Sequence, residues 1–192
     1  MYEDEASLLN RVMRPALYAR RELAVQEVRR RKNPSVLDVG CGSGRVAEAL
    51  LEAGAERYLG IDFSEPMLAL SAERLAAFES KIELMQGDFR TANFKGKFDV
   101  VVALGLFDYL EDPHTFTRRM REVCADGGCM VGTFGRWDWF KGPMRVLRYE
   151  VINSCPIFHF TRRELELLLN GSGFSRLEID ERRSGFYVRA YA

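Results

Sequence analysis

The chain has 192 residues, and its 28 Lys and Arg residues balance its 28 Asp and Glu residues, so the formal net charge at pH 7 is zero. Hydrophobic residues make up 47% of the chain, which excludes a disordered protein and is enough for a buried core. Balanced charge argues against general binding to nucleic acid or anionic membranes, which depends on an excess of Lys and Arg. We therefore expect one domain over residues 1–192 whose partner is a small molecule, with no nucleic acid and no membrane.

The cysteines and histidines do not form a metal-binding pattern. Four cysteines occur without a C-x-x-C pair, and the histidines are His114 and His159. We therefore expect no metal site and reduced thiols. The N-terminal segment MYEDEASLLN is acidic rather than basic, unlike a secretory signal, and no apolar run reaches the ~18–20 residues of a membrane span. These features favour a soluble, cytoplasmic protein.

The first 34 residues are predicted to form a helical cap. Leu17, Leu23, Val25 and Val28 are its apolar residues, and the region ends in the basic run 29–32, Arg-Arg-Arg-Lys. Such a run is most often a solvated helix face, and contact with a phosphate or a nucleic acid is the alternative.

Short buried strands and amphipathic helices then alternate. The predicted strands are Ser35–Val39, Arg57–Ile61, Ile82–Gln86, Phe98–Leu104 and Cys129–Phe134. The predicted helices are Arg45–Ala53, one capped by Ser64, and His114–Val123, the last followed by a turn at Asp126–Gly128. This alternation predicts an α/β fold with a parallel sheet and helices on both faces.

The C-terminal part departs from this alternation. Thr161 and Glu164 fit a capping box that opens a helix ending near Leu169. The strands Phe174–Asp180 and Phe186–Tyr191 follow, and the short link between them allows only a hairpin. One of these two strands should therefore run antiparallel to the rest of the sheet.

A glycine-rich turn follows the first predicted strand, in the segment Asp38-Val39-Gly40-Cys41-Gly42-Ser43-Gly44-Arg45. Its glycines let the backbone turn tightly and let a ligand approach closely. Arg45 stands where the dinucleotide fingerprint G-x-G-x-x-G requires its third glycine, and no Gly-Lys-Ser/Thr follows, so neither a dinucleotide loop nor a nucleotide-hydrolase loop is present.

Two acidic residues follow the next two strands. Asp62 is placed to accept hydrogen bonds from ribose hydroxyls. Asp88 suits the exocyclic amine of an adenine, and Phe63 or Phe89 could contact the adenine ring. Because the carboxyl ends of neighbouring parallel strands share one crevice, these residues should converge with the glycine turn. For both acids, a simple turn or helix-capping role is the alternative.

Four successive motifs resemble those of class I S-adenosylmethionine-dependent methyltransferases over roughly residues 34–135. They are D-V-G-C-G-S-G at 38–44, G-I-D-F-S-E-P-M at 60–67, G-D-F at 87–89 and F-D-V-V-V at 98–102. The resemblance implies a Rossmann-like, doubly wound, seven-stranded sheet, mostly parallel with an antiparallel C-terminal hairpin strand. It also implies S-adenosyl-L-methionine as the cofactor and divides the chain into a cap (1–34), a cofactor-binding core (34–135), an insertion or lid (136–160) and a C-terminal helix and hairpin (161–192).

The resemblance also implies a set of cofactor-binding residues. Gly40 and Gly42 would line the methionine moiety, Asp62 would bind the ribose, and the backbone at Ala103 and Leu104 would border the sulfonium. The full implied set is Asp38, Gly40, Cys41, Gly42, Gly44, Asp62, Phe63, Asp88, Phe89, Ala103 and Leu104.

Methyl transfer from a sulfonium is an in-line displacement that needs positioning more than a nucleophile or a metal. A base contributes only when the acceptor still carries a proton. Asp108 and Tyr109 are the catalytic candidates, standing where related methyltransferases often carry histidine or glutamate pairs. A capping or surface role is the alternative for Asp108. His159 is a lesser candidate base, because a lone histidine between aromatic residues is more often part of the core.

The acceptor pocket should lie outside the shared core. Trp137, Trp139, Phe140 and Tyr149 in the region 136–160 suggest an apolar or aromatic acceptor, and simple packing or a dimer contact is the alternative. The N-terminal cap, with Arg14 and Tyr18, could close over the cofactor, and Arg14 could pair with the methionine carboxylate if it is not simply solvated.

The expected function is methyl transfer from S-adenosylmethionine to an oxygen or nitrogen of a small molecule, by a monomer or homodimer. The alternatives are a non-catalytic S-adenosylmethionine-binding regulator or partner subunit, a protein or RNA methyltransferase, and a reductase on the same topology.

Overall fold

The computed structural model describes residues 8–137 and 157–192, with side chains from residue 17 onward. The helices are α1 (Leu8–Arg29), α2 (Arg45–Glu52), α3 (Glu65–Arg74), α4 (Pro113–Val123) and α5 (Arg162–Gly171), with short 3-10 helices at Ala76–Lys81 and Phe107–Tyr109. The strands are β1 (Ser35–Val39), β2 (Arg57–Asp62), β3 (Ile82–Gln86), β4 (Phe98–Ala103), β5 (Cys124–Phe134), β6 (Arg176–Arg182) and β7 (Gly185–Tyr191).

These strands form one seven-stranded sheet in the order β3-β2-β1-β4-β5-β7-β6. The pairs from β3 to β5 are parallel, and β7 runs antiparallel to both of its neighbours, β5 and β6. The predicted fold class is therefore confirmed, including the antiparallel hairpin strand. The strand order reverses between β1 and β4, and ligands of such sheets bind at the carboxyl ends of the strands beside this point.

The sheet separates two hydrophobic cores. Alternate residues of its central strands, such as Val36 and Val100, face α1, α2 and α3. Their neighbours along the strands, such as Leu37 and Val101, face α4 and α5. All four side chains are fully buried, as expected of parallel strands covered on both faces.

The helix starts follow the predicted capping residues. Ser64 Oγ accepts a hydrogen bond from the backbone N–H of Met67 at the start of α3. Thr161 and Glu164 form the predicted capping box at the start of α5. In addition, Asp112 caps α4 by accepting from the N–H of Thr115. These caps satisfy backbone N–H groups that have no partner within the helix.

Of the apolar residues named in the cap, Leu23, Val25 and Val28 are buried and Leu17 is 48% exposed. One local prediction was wrong. The turn predicted at Asp126–Gly128 lies inside β5, which begins at Cys124 immediately after α4 ends. The register between β4 and β5 shifts after Phe98, and the residues of β5 without a partner in β4 form a bulge, in which Gly127 has a φ of 76°. The chain therefore continues in the same strand where a turn was expected.

The basic run at the end of α1 has a partner inside the protein. The carboxylate of Glu27 is 1% exposed and forms ion pairs with Arg30 (2.6 Å), Arg31 (2.5 Å) and, from β7, Arg189 (2.9 Å). Tyr191 of β7 also lies 3.5 Å from Glu27. These contacts join the C-terminal end of α1 to β7, so the run is only partly a solvated face.

Candidate cofactor-binding site

The glycine turn connects β1 to α2 at the carboxyl edge of the sheet. Gly40, Gly42 and Gly44 have φ values of 73°, 53° and 76°, a region that residues with a side chain rarely adopt. Nothing lies within 4 Å of the position that a Cβ on Gly42 would occupy, so the turn is open on that side. Gly44 is instead packed, because a Cβ there would lie 2.6 Å from Ser71 Oγ of α3.

Asp62, at the end of β2, holds this turn in place. Its Oδ2 accepts a hydrogen bond from the backbone N–H of Gly42 (2.8 Å), and its Oδ1 accepts from the N–H of Ser64 (2.9 Å). The N–H of Gly40 adds a bond to the carbonyl of Ile61 (2.8 Å). A carboxylate has about four acceptor positions, so Asp62 keeps room for ligand hydroxyls while it shapes the turn.

A second acid lies beneath the turn. Asp38 is 3% exposed and accepts a hydrogen bond from the hydroxyl of Tyr58 (3.0 Å). Burial raises the pKa of Asp38 to about 7, and the nearby charge of Asp62 adds to this rise. Burial likewise raises the pKa of the Cys41 thiol, so that group is protonated and unreactive. Asp38 and Cys41 therefore support the turn from below.

A cavity of about 130 Å³ opens beside the turn at the ends of β1, β2 and β3. Its walls include Gly40, Asp62, Phe63 and Phe89, four of the residues predicted to bind the cofactor. Phe63 is 66% exposed at the rim, where its ring is available to cover a flat ligand. Phe89 is 3% exposed and packs 5.4 Å from the Phe116 ring, so it mainly forms the floor.

Asp88 lies close to this cavity but is not among the residues that line it. Both of its carboxylate oxygens are engaged by the Arg90 guanidinium, at 2.6–3.0 Å, and Oδ1 also accepts from the Arg90 N–H. The hydrogen bonds from the Arg90 side chain lower the pKa of Asp88. The geometry is that of a turn-forming aspartate, and its contact with adenine stays a prediction.

The residues expected near the sulfonium lie at the end of β4. Ala103 is fully buried and Leu104 is half-buried, beside the carboxyl end of β1. The next residue, Gly105, donates its N–H to Thr133 Oγ1 (2.8 Å).

Arg20 of α1 reaches this end of β4, although the sequence analysis did not select it. Its Nη1 lies 3.1 Å from the position that a Cβ on Gly105 would occupy, and its Nε is buried without a hydrogen-bond partner among the described residues. Arg20, Leu23, Ala24 and Glu27 share one face of α1, so helical periodicity signals an arginine on the buried stripe. Arg14 also lies in α1, but its side chain is outside the described part.

The catalytic candidates lie in the 3-10 helix after β4. Asp108 is 5% exposed, and its Oδ1 lies 2.8 Å from the position of a Cβ on Gly135. Tyr109 is 41% exposed. Neither is among the residues that line the cofactor cavity, and their catalytic roles stay predictions. Trp139, Phe140 and Tyr149 lie outside the described residues.

A second cavity, of about 340 Å³, lies at the same edge of the sheet, on the side of α4 and α5. His159 is among its walls, and the His159 ring packs edge-on against Trp137 with 5.2 Å between the centroids. Within residues 8–137 and 157–192, no group of three or more His, Cys, Asp or Glu residues is arranged to hold a metal ion. None of the helices in that part is long and apolar enough to cross a bilayer.

The site therefore brings three kinds of group together. Asp62 has acceptor positions beyond its two backbone hydrogen bonds, the Phe63 ring is exposed, and the buried Nε of Arg20 has no hydrogen-bond partner within the described part of the chain. Fold and cavity together define a doubly wound α/β protein with a candidate ligand site at the reversal of its sheet.

Comparison with known proteins agrees with this class. Residues 36–128 match the family described as "Methyltransferase domain". The ubiquinone biosynthesis O-methyltransferase of Thiobacillus denitrificans is 37% identical over 97 residues, which are 48% of this chain and 40% of that protein. An uncharacterized methyltransferase of Schizosaccharomyces pombe is 29% identical over 119 residues, 56% of this chain and 81% of that one. Residues 36–128, just under half of the chain, therefore carry a methyltransferase domain similar to that of the class I S-adenosylmethionine-dependent methyltransferases.

Solved structures show the same fold. Magnesium protoporphyrin IX methyltransferase from Synechocystis PCC 6803, crystallised with SAH, superimposes with a TM-score of 0.77 at 16% identity, over 98% of this chain and 89% of that one. The chain spans less than half the length of the ubiquinone O-methyltransferase that it matches, so that likeness concerns the part around the cofactor site.

Proposed function

We propose that the protein is an enzyme that transfers the methyl group of S-adenosylmethionine to a small molecule. The observation that carries this proposal is the convergence of the glycine turn, Asp62, Phe63 and Arg20 at one edge of the sheet. Each offers the interaction that a different part of the cofactor requires. The match of residues 36–128 to a methyltransferase domain supports S-adenosylmethionine as the methyl donor.

The proposed contacts follow from the hydrogen-bonding groups and the ring surface that the site leaves available to a ligand. The Asp62 carboxylate has acceptor positions beyond the two that hold Gly42 and Ser64, and these would accept the ribose hydroxyls. Phe63 would cover the adenine from the rim. Arg20 would pair with the carboxylate of the methionine part, which would give its buried Nε the hydrogen-bond partner that the described residues do not provide.

When bound, the cofactor supplies a methyl group on a positively charged sulfur that departs as a neutral thioether. The chain then has to hold the acceptor atom in line with that methyl group and keep bulk water away. Such positioning can lower the barrier by ~7–11 kcal/mol. The acceptor atom is itself the nucleophile and the sulfonium is already an activated electrophile, so the protein need not supply a nucleophile of its own. Asp108 and Tyr109 remain the proposed catalytic pair at the end of β4, where they would orient or deprotonate the acceptor.

The acceptor class is proposed from the relatives. Those named as ubiquinone O-methyltransferases act, by their names, on oxygen, which supports O-methylation of a small molecule here. The three described cysteines, Cys41, Cys124 and Cys129, are buried and unpaired, which supports a reducing, cytoplasmic setting as part of the same proposal.

Two measurements test the proposal in sequence. Calorimetry should show that S-adenosylmethionine and S-adenosylhomocysteine bind while NADH does not. Incubation with methyl-labelled cofactor and a fractionated metabolite extract should then yield a labelled small molecule. Binding without any labelled product would instead favour the non-catalytic regulator, label in protein or RNA would favour that substrate class, and binding of NADH alone would contradict the assignment.

A further inference from the structure

We propose that the 340 Å³ cavity between α4 and α5 is the acceptor-binding pocket, and that it takes a flat aromatic compound carrying a hydroxyl group. This inference rests on the proposed function, whose substrate class it narrows. The cavity volume falls in the range of about 300–1,000 Å³ that is typical of small-molecule sites.

The cavity and the cofactor site share a wall. The segment that follows β4 places Leu106 in the cofactor cavity and Leu110 in the larger one. The first turn of α4 is also common to both, since Phe116 lines the first cavity and Pro113 the second. The two cavities therefore flank the same loop and helix start, on one face of the sheet.

The wall is firmly attached to the sheet. The backbone N–H of Phe158 donates to the carbonyl of Asp108 (2.8 Å), and the N–H of Phe160 donates to the carbonyl of Gly135 (2.8 Å). These bonds fix the 157–160 segment against the ends of β4 and β5. A pocket built on such supports is largely formed before its ligand arrives, which limits the entropy cost of binding.

The apolar part of the wall selects a flat, hydrophobic ligand. Phe158, Phe160, Leu110, Pro113 and Leu168 surround the space. Aromatic rings on such a wall favour stacked or edge-on contacts with another ring, which are worth more than apolar area alone. An aliphatic sugar or a free amino acid would leave this surface poorly matched.

The polar part selects a hydroxyl. The Glu164 carboxylate is occupied by the capping box, where it accepts hydrogen bonds from the N–H and hydroxyl of Thr161. Glu111 and His114 are exposed at the rim. His159 is the remaining polar side chain of the lining, and its imidazole is half-buried and packs edge-on against Trp137. In this proposal it accepts the hydrogen bond from the ligand hydroxyl.

The test uses 2-naphthol and its methyl ether as probes, with binding followed by ligand-observed NMR on protein saturated with S-adenosylhomocysteine and on the free protein. Leu168→Trp fills the cavity and should weaken 2-naphthol binding at least tenfold. Leu167→Trp, on the 65%-exposed neighbour, is the matched control and should bind within twofold of the wild type. His159→Phe should abolish the preference for the naphthol over its ether.

Leu110→Trp provides a second filled cavity if the buried Leu168 variant fails to fold. The affinity for S-adenosylhomocysteine should stay within twofold in all these variants. Absence of 2-naphthol binding in the wild type, or full binding in the cavity-filled protein, overturns the pocket assignment and leaves the proposed function standing. Failure of S-adenosylhomocysteine to bind the wild type contradicts the proposed function. In that case, 2-naphthol binding to the free protein still tests whether the cavity is a ligand pocket.

Discussion

Asp62 holds the glycine turn, and we propose that it also binds the cofactor. Its two oxygens accept hydrogen bonds from the N–H groups of Gly42 and Ser64, and the residue lines the cavity. We expect Asp62→Ala to weaken S-adenosylhomocysteine binding at least tenfold, about 1.4 kcal/mol, because charged hydrogen bonds and the turn geometry are lost together. Calorimetry measures this, with Asp180→Ala on β6 as a surface control. Equal affinities in both variants would remove Asp62 from the site.

For Arg20 we expect a loss of affinity that depends on the ligand, because this residue would contact only the carboxylate end of the cofactor. Arg20→Met should weaken S-adenosylhomocysteine binding about tenfold or more and leave 5′-methylthioadenosine, which lacks the carboxylate, within twofold. The same calorimetric titrations compare the two ligands. An equal loss for both would mean that Arg20 acts on the fold rather than on the carboxylate.

The buried Asp38 should make stability depend on pH. Its pKa is about 7 in the folded protein against an ordinary 3.8, so between these values the native state keeps a proton that the unfolded chain has lost. Stability therefore falls as pH rises from about 4 to 7, with a slope of up to ~1.4 kcal/mol per pH unit from this group.

Urea unfolding at several pH values measures the effect. Asp38→Asn keeps an acceptor for the Tyr58 hydroxyl but cannot titrate, so its stability should vary less with pH over this interval. A slope identical to that of the wild type would show that Asp38 does not carry the proton.

The location of a site residue could be predicted from the sequence where it follows from position along the chain. Asp62 was identified because the end of a parallel strand points to the carboxyl edge, and the structure places it in the cavity. Helical periodicity places Arg20 on the buried stripe of α1, but it does not show that this stripe reaches the end of β4, because that depends on how α1 lies across the sheet. Asp88 lies where it was expected, after β3, but Arg90 engages its carboxylate. The spacing of strand ends predicts where an acid lies and not which neighbouring side chain pairs with it.

Among the elements, α1 is tied to the sheet by the buried Glu27 cluster as well as by its apolar face. Glu27→Gln would leave the arginines from α1 and β7 without their carboxylate. We expect a loss of about 3–5 kcal/mol in the free energy of unfolding, the usual effect of breaking a buried ion pair. Urea denaturation measures it.

The matched control for this helix is Glu22→Gln. The Glu22 side chain is 33% exposed and its pair with Arg29 is 4.0 Å long, so the change should cost less than about 0.5 kcal/mol. Similar effects of the two variants would mean that the cluster does not anchor α1.

The limits of prediction at this scale appear in β5. The Asp-Gly-Gly sequence at 126–128 has the composition of a turn, yet it forms a bulge inside β5, because the residues on both sides of it, Cys124 and Cys129, pair with β4. Strand pairing is non-local, so local turn chemistry could not reveal it. By contrast, α3 and α5 begin where Ser64 and Thr161 predict, because a capping bond involves only residues within one turn.

For the whole molecule, alternation of strands and helices was enough to predict a parallel sheet covered by helices on both faces. The seven strands and the doubly wound order came from the resemblance to methyltransferases. The strand order places β1 and β4 side by side, and their carboxyl ends carry the glycine turn and Gly105. The division of the chain into a cap, a core, a lid and a C-terminal unit within one domain stays a prediction.

The central claim is that the carboxyl ends of β1, β2 and β4 form one site for an adenosyl sulfonium. A crystal structure of the complex with S-adenosylhomocysteine tests it most directly. We expect both ribose hydroxyls within about 3.2 Å of the Asp62 carboxylate, the adenine beside Phe63 and the ligand carboxylate on Arg20. A ligand bound elsewhere, or a ribose with no contact to Asp62, would contradict the account.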